Sequence, residues 1–117
     1  MVDESFGKER RLLKSQEYKE LFNKGWRIDK RFFVIYGLNR GGGITRVGIS
    51  VPSRVVRAAV KRNRIKRLLR EVFRKNKEML AGPSDIVIIA KRGAEGLSYK
   101  NIEEIFLKLK IDINYKE

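Results

Sequence analysis

The side chains that usually carry protein catalysis are missing from this chain, and those that hold phosphates are in surplus. There is no cysteine and no histidine, which removes disulfides, thiol nucleophiles, Cys/His zinc sites and an imidazole general base together. A metal nuclease can be built from carboxylates alone, but the 14 acids are scattered. Asp3-Glu4 and Glu103-Glu104 are the only adjacent pairs, and neither has the company that a two-metal site needs. The expectation is a protein with no catalytic residue and no metal site of its own. Lysine and arginine number 28 against those 14 acids, for a formal charge of +14. A compact domain tolerates that excess best beside a polyanion, so nucleic acid or an anionic membrane is the expected partner.

The cations are placed as well as abundant. Lys61-Arg62-Asn63-Arg64-Ile65-Lys66-Arg67 runs into Leu68-Leu69-Arg70-Glu71-Val72-Phe73-Arg74. With Ile65 at zero on a wheel of about 100° per residue, Leu68, Leu69, Val72 and Phe73 fall within roughly 80° of it. Asn63, Lys66, Arg67, Arg70 and Arg74 fall between roughly 100° and 200°, with Arg62 and Arg64 on the two flanks. One face packs, and the other presents cations. A merely solvated charged helix interleaves acids as i, i+4 partners, whereas here eleven basic residues between Arg54 and Lys77 stand against Glu71 alone. Seven of the eleven are arginine, whose planar fork suits bidentate contact with phosphate.

Other elements must carry that helix. At 117 residues the chain suffices for one core and one domain, expected to span 1–117 with a basic arm over about 1–14. Ser15 is placed to cap a short helix from about Gln16 to Lys24, ended by Gly25, with Tyr18, Leu21 and Phe22 at i, i+3 and i+4. Trp26 to Ile28 reads as a short edge strand. Phe32 to Leu38 is β-branched and aromatic and apolar on both faces, which suits a strand. Asn39-Arg40-Gly41-Gly42-Gly43 reads as a hairpin turn into Ile44 to Val51. There Val47, Ile49 and Val51 alternate with Arg46, Gly48 and Ser50. Pro52-Ser53 stops that strand, and the basic helix is expected from near Val56 to about Leu80, closed by Gly82-Pro83-Ser84. Ala59 and Val60 fall off its apolar stripe.

Asp85 to Ala90 reads as a central strand buried on both faces. Ser98 is placed to cap a last helix carrying Ile102, Ile105, Phe106 and Leu109. The order α-β-β-β-α-β-α, with mostly antiparallel strands and one helical crossover, predicts an α+β domain with its helices on one side of a mixed sheet. Two-sided apolarity also gives Phe32 to Leu38 more aromatic surface than one small core needs. An aromatic cleft with Ser50, Lys91 and Arg92 at its rim suits single-stranded RNA, because bases stack on rings while cations follow the backbone. Packing of Tyr18 and Phe22 into the core is the competing reading. The triple glycine lies in a turn and not between a strand and a helix N-terminus, so it is no phosphate loop.

Val47-Gly48-Ile49-Ser50-Val51 followed by Val60-Lys61-Arg62-Asn63-Arg64-Ile65-Lys66-Arg67-Leu68-Leu69-Arg70-Glu71-Val72-Phe73 strongly resembles the protein subunit of bacterial ribonuclease P, with Arg62-Asn63-Arg64 similar to its RNR signature. Tyr18 to Phe22, Phe33 to Tyr36 and Asp85 to Ala90 sit at family-like spacings, so the likeness runs from about Arg11 to Leu107. The resemblance implies a small α/β sandwich with a left-handed βαβ crossover, against the usual hand. It implies a ribonucleoprotein in which a large RNA with bound Mg²⁺ cleaves precursor tRNA to release the 5′ leader. Ribonuclease P RNA and precursor tRNA are then the partners, with no further protein required. Arg62, Asn63, Arg64, Lys66, Arg67 and Arg70 match the surface that faces the catalytic RNA. Tyr18, Phe22, Val34, Tyr36, Ser50, Ile89, Lys91 and Arg92 match the cleft that holds the leader. Tyr18 stands where the family often has Phe, a change that keeps the ring and adds a hydroxyl near the rim. Pro52-Ser53 stands where many members have two lysines, which leaves Arg54 as the cation at that corner.

A ribosomal or other structural RNA-binding protein shares the charge and size and is the alternative from another class. A stand-alone nuclease lacks side chains to run it, and a major-groove DNA reader lacks a second short helix at turn-helix spacing. Apolar runs such as Ile86 to Ala90 are far short of the roughly 20 residues that span a bilayer. With no basic stretch leading into an apolar one at the start, the expectation is a cytoplasmic protein off the membrane.

Overall fold

The computed structural model describes residues 15–39, 45–76 and 84–116. Their elements are α1 (Ser15–Lys24), β1 (Trp26–Asp29), β2 (Phe33–Asn39), β3 (Arg46–Ser50), α2 (Ala59–Lys75), β4 (Ser84–Ala90), a 3₁₀ turn (Ala94–Gly96) and α3 (Tyr99–Lys116). This is the α+β order read from the sequence. The basic arm, the glycine run and Leu80 lie outside the described residues.

The sheet is mixed, in the order β1-β2-β4-β3. β1 with β2 and β2 with β4 run antiparallel, while β3 and β4 are parallel neighbours joined through α2. That corrects the expected hairpin: β2 and β3 are not paired, because β4 lies between them. Six of the seven β4 residues are buried, so the strand fits where both sheet faces are covered. β3 ends in exposed Ser50 and takes the edge.

Register sorts the side chains into two layers. Phe33, Ile35, Val47, Ile86, Ile88 and Ala90 pack with Ile65, Leu69, Val72 and Phe73 of α2 and with Ile102 and Phe106 of α3. Phe106 ties this layer together, with ring centroids 5.9 Å from Phe33 and 5.1 Å from Phe73. On the other face Leu21 of α1 is fully buried on Val87, flanked by Tyr18, Tyr36, Leu38 and Ile89. Helices therefore cover both faces, and the expectation of helices on one side is wrong. β4 is apolar on both sides, so either face left bare would expose Val87 or Ile86 to water at about 1.5–3 kcal/mol per side chain.

α1 is also clamped by charge. Arg46 donates two hydrogen bonds of 2.9 Å to the buried Asp85 carboxylate and pairs with Glu17 of α1. The neighbouring carboxylates, Asp85 first, push the Arg46 guanidinium further up its already basic range. Two glycines permit close approaches that a Cβ would block. One at Gly48 would lie 2.7 Å from the Tyr18 hydroxyl, and one at Gly37 would lie 2.0 Å from the Trp26 ring.

The basic helix begins later than its charge pattern suggests. The Pro52 carbonyl accepts from the N–H groups of both Val55 and Val56, and Val56 is buried as an anchor. Extended Ala58 then precedes the first helical turn, so the start is Ala59 and not Val56. At the other end Asn76 caps α2 by donating to the Val72 carbonyl and to Glu103 of α3. Ser84 belongs to β4 and does not close α2. Ser98 does cap α3: its hydroxyl accepts from the Asn101 N–H while the Asn101 side chain accepts from the Ser98 N–H, each at 3.1 Å.

Candidate nucleic-acid interface

The strand registers bring one group of predicted residues into a single row. Val34 pairs with Ile89 and Ile89 with Ser50, while Tyr36 pairs with Val87 and Val87 with Gly48. All lie on the α1 face of the sheet. α1 roofs the second row, where Leu21 is buried, and the first row carries half-buried Val34 and Ile89 with exposed Ser50. From the helix, Phe22 projects with 44% of its surface exposed and meets Tyr36 edge to face at 4.7 Å, while Tyr18 lies 6.3 Å from Phe22. Three rings thus form a platform with aromatic surface open to solvent, which a flat nucleobase can extend. The Tyr18 hydroxyl lies over Gly48 of the edge strand. Burial, and then the Glu17 carboxylate, push that phenol above its ordinary range, so it stays a neutral hydrogen-bonding group.

Lys91 joins this face already engaged. Its ammonium pairs with Asp29 and donates to the Lys30 carbonyl at 2.8 Å. Arg92 is exposed on the turn that leaves β4. The structure adds two residues that the sequence did not single out, Arg27 and Asp29 of β1. Arg27 donates from Nε to the Tyr36 hydroxyl and from Nη2 to Asp29, each at 3.2 Å. Asp29 is thereby shared between two cations, and Lys91 first and Arg27 second hold its carboxyl below the ordinary range. Period-two spacing places Arg27 and Asp29 on one strand face; that was the available signal, but it does not name the neighbour across the sheet.

The second group lies along α2. Ile65, Leu69, Val72 and Phe73 are buried, so the helix keeps the apolar stripe read from its periodicity. Asn63 and Arg67 are exposed, and Lys66 and Arg70 are half-buried on its outer side. Arg62 and Arg64 diverge because residues two apart on a helix are turned by roughly 200°. Arg62 donates to the Val56 and Arg57 carbonyls at 3.1 and 2.6 Å, tying down the segment ahead of the helix. Arg64 donates to the Leu97 carbonyl at 3.1 Å, tying α2 to the loop before α3. Both arginines therefore hold backbone in place. Arg74 is paired with Glu71, whose carboxyl it holds below the ordinary range.

A family model described as Ribonuclease P matches residues 6–113. The chain belongs to the ribonuclease P protein family. Ribonuclease P protein components from Halalkalibacterium halodurans and Vibrio campbellii are similar to it at 40% identity over 97 residues and 38% over 105. These matches cover 82% and 90% of this chain and 81% and 88% of the relatives. The ribonuclease P protein of Staphylococcus aureus superposes with a TM-score of 0.76 at 31% identity, covering 92% of this chain and 96% of that one. That of Thermotoga maritima gives 0.74 at 28%, covering 85% and 93%. Membership places the chain among the components of ribonuclease P, the tRNA-processing endonuclease. Among its described residues no helix is long and apolar enough to cross a membrane.

Proposed function

We propose that this ribonuclease P family protein binds the catalytic RNA of the enzyme through α2 and holds the 5′ leader of precursor tRNA in the cleft beside α1. The observation that carries the reading is the separation of the two surfaces: the cations of α2 and the rings of the cleft are mounted on elements packed against opposite faces of one sheet. A protein so built can touch a folded RNA with one side and a single strand with the other. Asn63, Lys66, Arg67 and Arg70 supply contacts to the catalytic RNA. Arg62 and Arg64 contribute charge while holding the first turns of α2 to their neighbours. Tyr18, Phe22 and Tyr36 stack leader bases, Val34 and Ile89 form the apolar floor, Ser50 supplies a hydroxyl, and Lys91 and Arg92 raise the local potential.

Cleavage itself is assigned to the RNA with its Mg²⁺. Among the described residues no three acidic side chains converge on a site that could hold a metal ion. The assembly needs ribonuclease P RNA and precursor tRNA, and it needs no other protein. Reconstitution with a bacterial ribonuclease P RNA at low Mg²⁺ tests the proposal: precursor cleavage should exceed that of the RNA alone. No gain would overturn it.

A further inference from the structure

Arg27 stands at the β1 margin of the aromatic platform, opposite Tyr36 in the strand register. Its side chain is 53% exposed, and its guanidinium carbon lies 5.9 Å from the centre of the Tyr36 ring. A guanidinium has five N–H donors, and here Nε and one donor of Nη2 are used. The other three have no partner among the described residues. Asp29 does not cancel this cation, because Lys91 shares the same carboxylate. Tyr36 and Asp29 instead hold the guanidinium in one orientation, which lowers the entropy a ligand must remove.

The opposite end of the α1 face has the other polarity. A cavity of about 370 Å³ there is lined by Glu17, Glu20 and Asp85, with Lys24, Arg46, Leu38 and Asn39. Its Arg46 is already committed to Asp85 and Glu17, so this end is a poor place for a phosphate.

We propose that Arg27 is a phosphate subsite for single-stranded RNA, gripping the backbone of a nucleotide whose base stacks on Phe22 and Tyr36. It rests on the cleft reading above and deepens it, since it says where beside the platform the strand's backbone runs. The strand passes along the β1 side of the platform, away from the Glu17–Glu20–Asp85 end.

The test uses the reconstituted protein–RNA complex with three probes: precursor tRNA with a leader of several nucleotides, precursor with a single leader nucleotide, and mature tRNA. Arg27→Met keeps the aliphatic cover on Tyr36 and loses the donors. It should weaken the long-leader precursor by about fivefold to tenfold and leave the other two unchanged. The slope of log affinity against log salt should flatten by about 0.7, the loss of one single-strand phosphate contact. Arg27→Lys should recover part of the affinity. Equal losses on all three probes, or an unchanged salt slope, would overturn the proposal, and thermal melting of each variant shows whether equal losses come from unfolding. The double variant Tyr18→Ala with Phe22→Ala separates the two failures. If it discriminates by leader length and Arg27→Met does not, the subsite alone is wrong; if neither does, the cleft reading fails with it.

Discussion

In the cleft beside α1, a chain of contacts holds five side chains in place: Phe22 by Tyr36, Tyr36 by Arg27, Arg27 by Asp29, and Asp29 by Lys91. Along α2 the outer residues are arranged differently, with Asn63 and Arg67 exposed to solvent while Arg62 and Arg64 bind backbone. The contrast is between a preorganised surface and an electrostatic one. A locked platform discriminates by shape and stacking, whereas a row of cations along a helix supplies affinity that weakens with salt. The first suits a short single strand and the second a large folded RNA.

Removing the α2 cations together should have the largest effect. Lys66→Ala, Arg67→Ala and Arg70→Ala combined should lower affinity for ribonuclease P RNA about a hundredfold at moderate salt and flatten its salt dependence. Binding titrations across a salt series would show this, and an unchanged slope would take those residues out of the interface. The cleft should behave oppositely. Tyr18→Ala with Phe22→Ala removes stacking worth about 1–3 kcal/mol per base, so long-leader precursor should bind about tenfold to a hundredfold more weakly. Mature tRNA should bind as before, with little change in salt slope. Parallel losses on both ligands would assign these rings to the core.

Smaller effects sharpen the difference within α2. Arg64→Ala should cost about 0.5–1.5 kcal/mol of stability, because the Leu97 carbonyl loses its partner, while Arg67→Ala should leave melting unchanged. Equal melting temperatures for the two would refute a bracing role for Arg64. The smallest effect concerns pH. The Lys91 hydrogen bond first, and Arg27 after it, lower the Asp29 pKa. The stabilisation is therefore complete above the ordinary carboxylate pKa and is lost as pH falls through the lowered one. Asp29→Asn should melt slightly below the parent at neutral pH, with the two curves converging in acid; a constant offset down to strongly acidic pH would show that the charge is not the cause.

Much of the fold was legible locally. The stripe of Ile65, Leu69, Val72 and Phe73 and the alternation around Val47 follow from periods of 3.6 and 2, the strand at 85–90 from a continuous apolar run, and the Ser98 cap from a side chain that accepts from backbone N–H groups. The hairpin reading failed at Asn39 to Gly43 because turn-like composition says only that the chain changes direction, not which strand lies beside it. α2 starts after Val56 because the Pro52 turn and an anchoring side chain outweigh local helical pattern there. Within the site, Tyr18, Phe22, Val34, Tyr36, Ser50 and Ile89 are brought onto one face, whereas Arg27 went unread because an exposed arginine on a short strand carries no local mark of its neighbour.

The amino-acid sequence alone determined what each segment can bury and what it can present: a cationic helix with one apolar face, an aromatic surplus, and no thiol or imidazole chemistry. These are properties of side-chain type and spacing, expressed within a few residues of chain. Only the tertiary structure decided that β4 separates β2 from β3, that α1 covers the face away from α2, and that Arg27, Tyr36, Asp29 and Lys91 meet. Strand order and register are settled by non-local burial, with the doubly apolar strand taking the doubly covered position, and no local period encodes that competition.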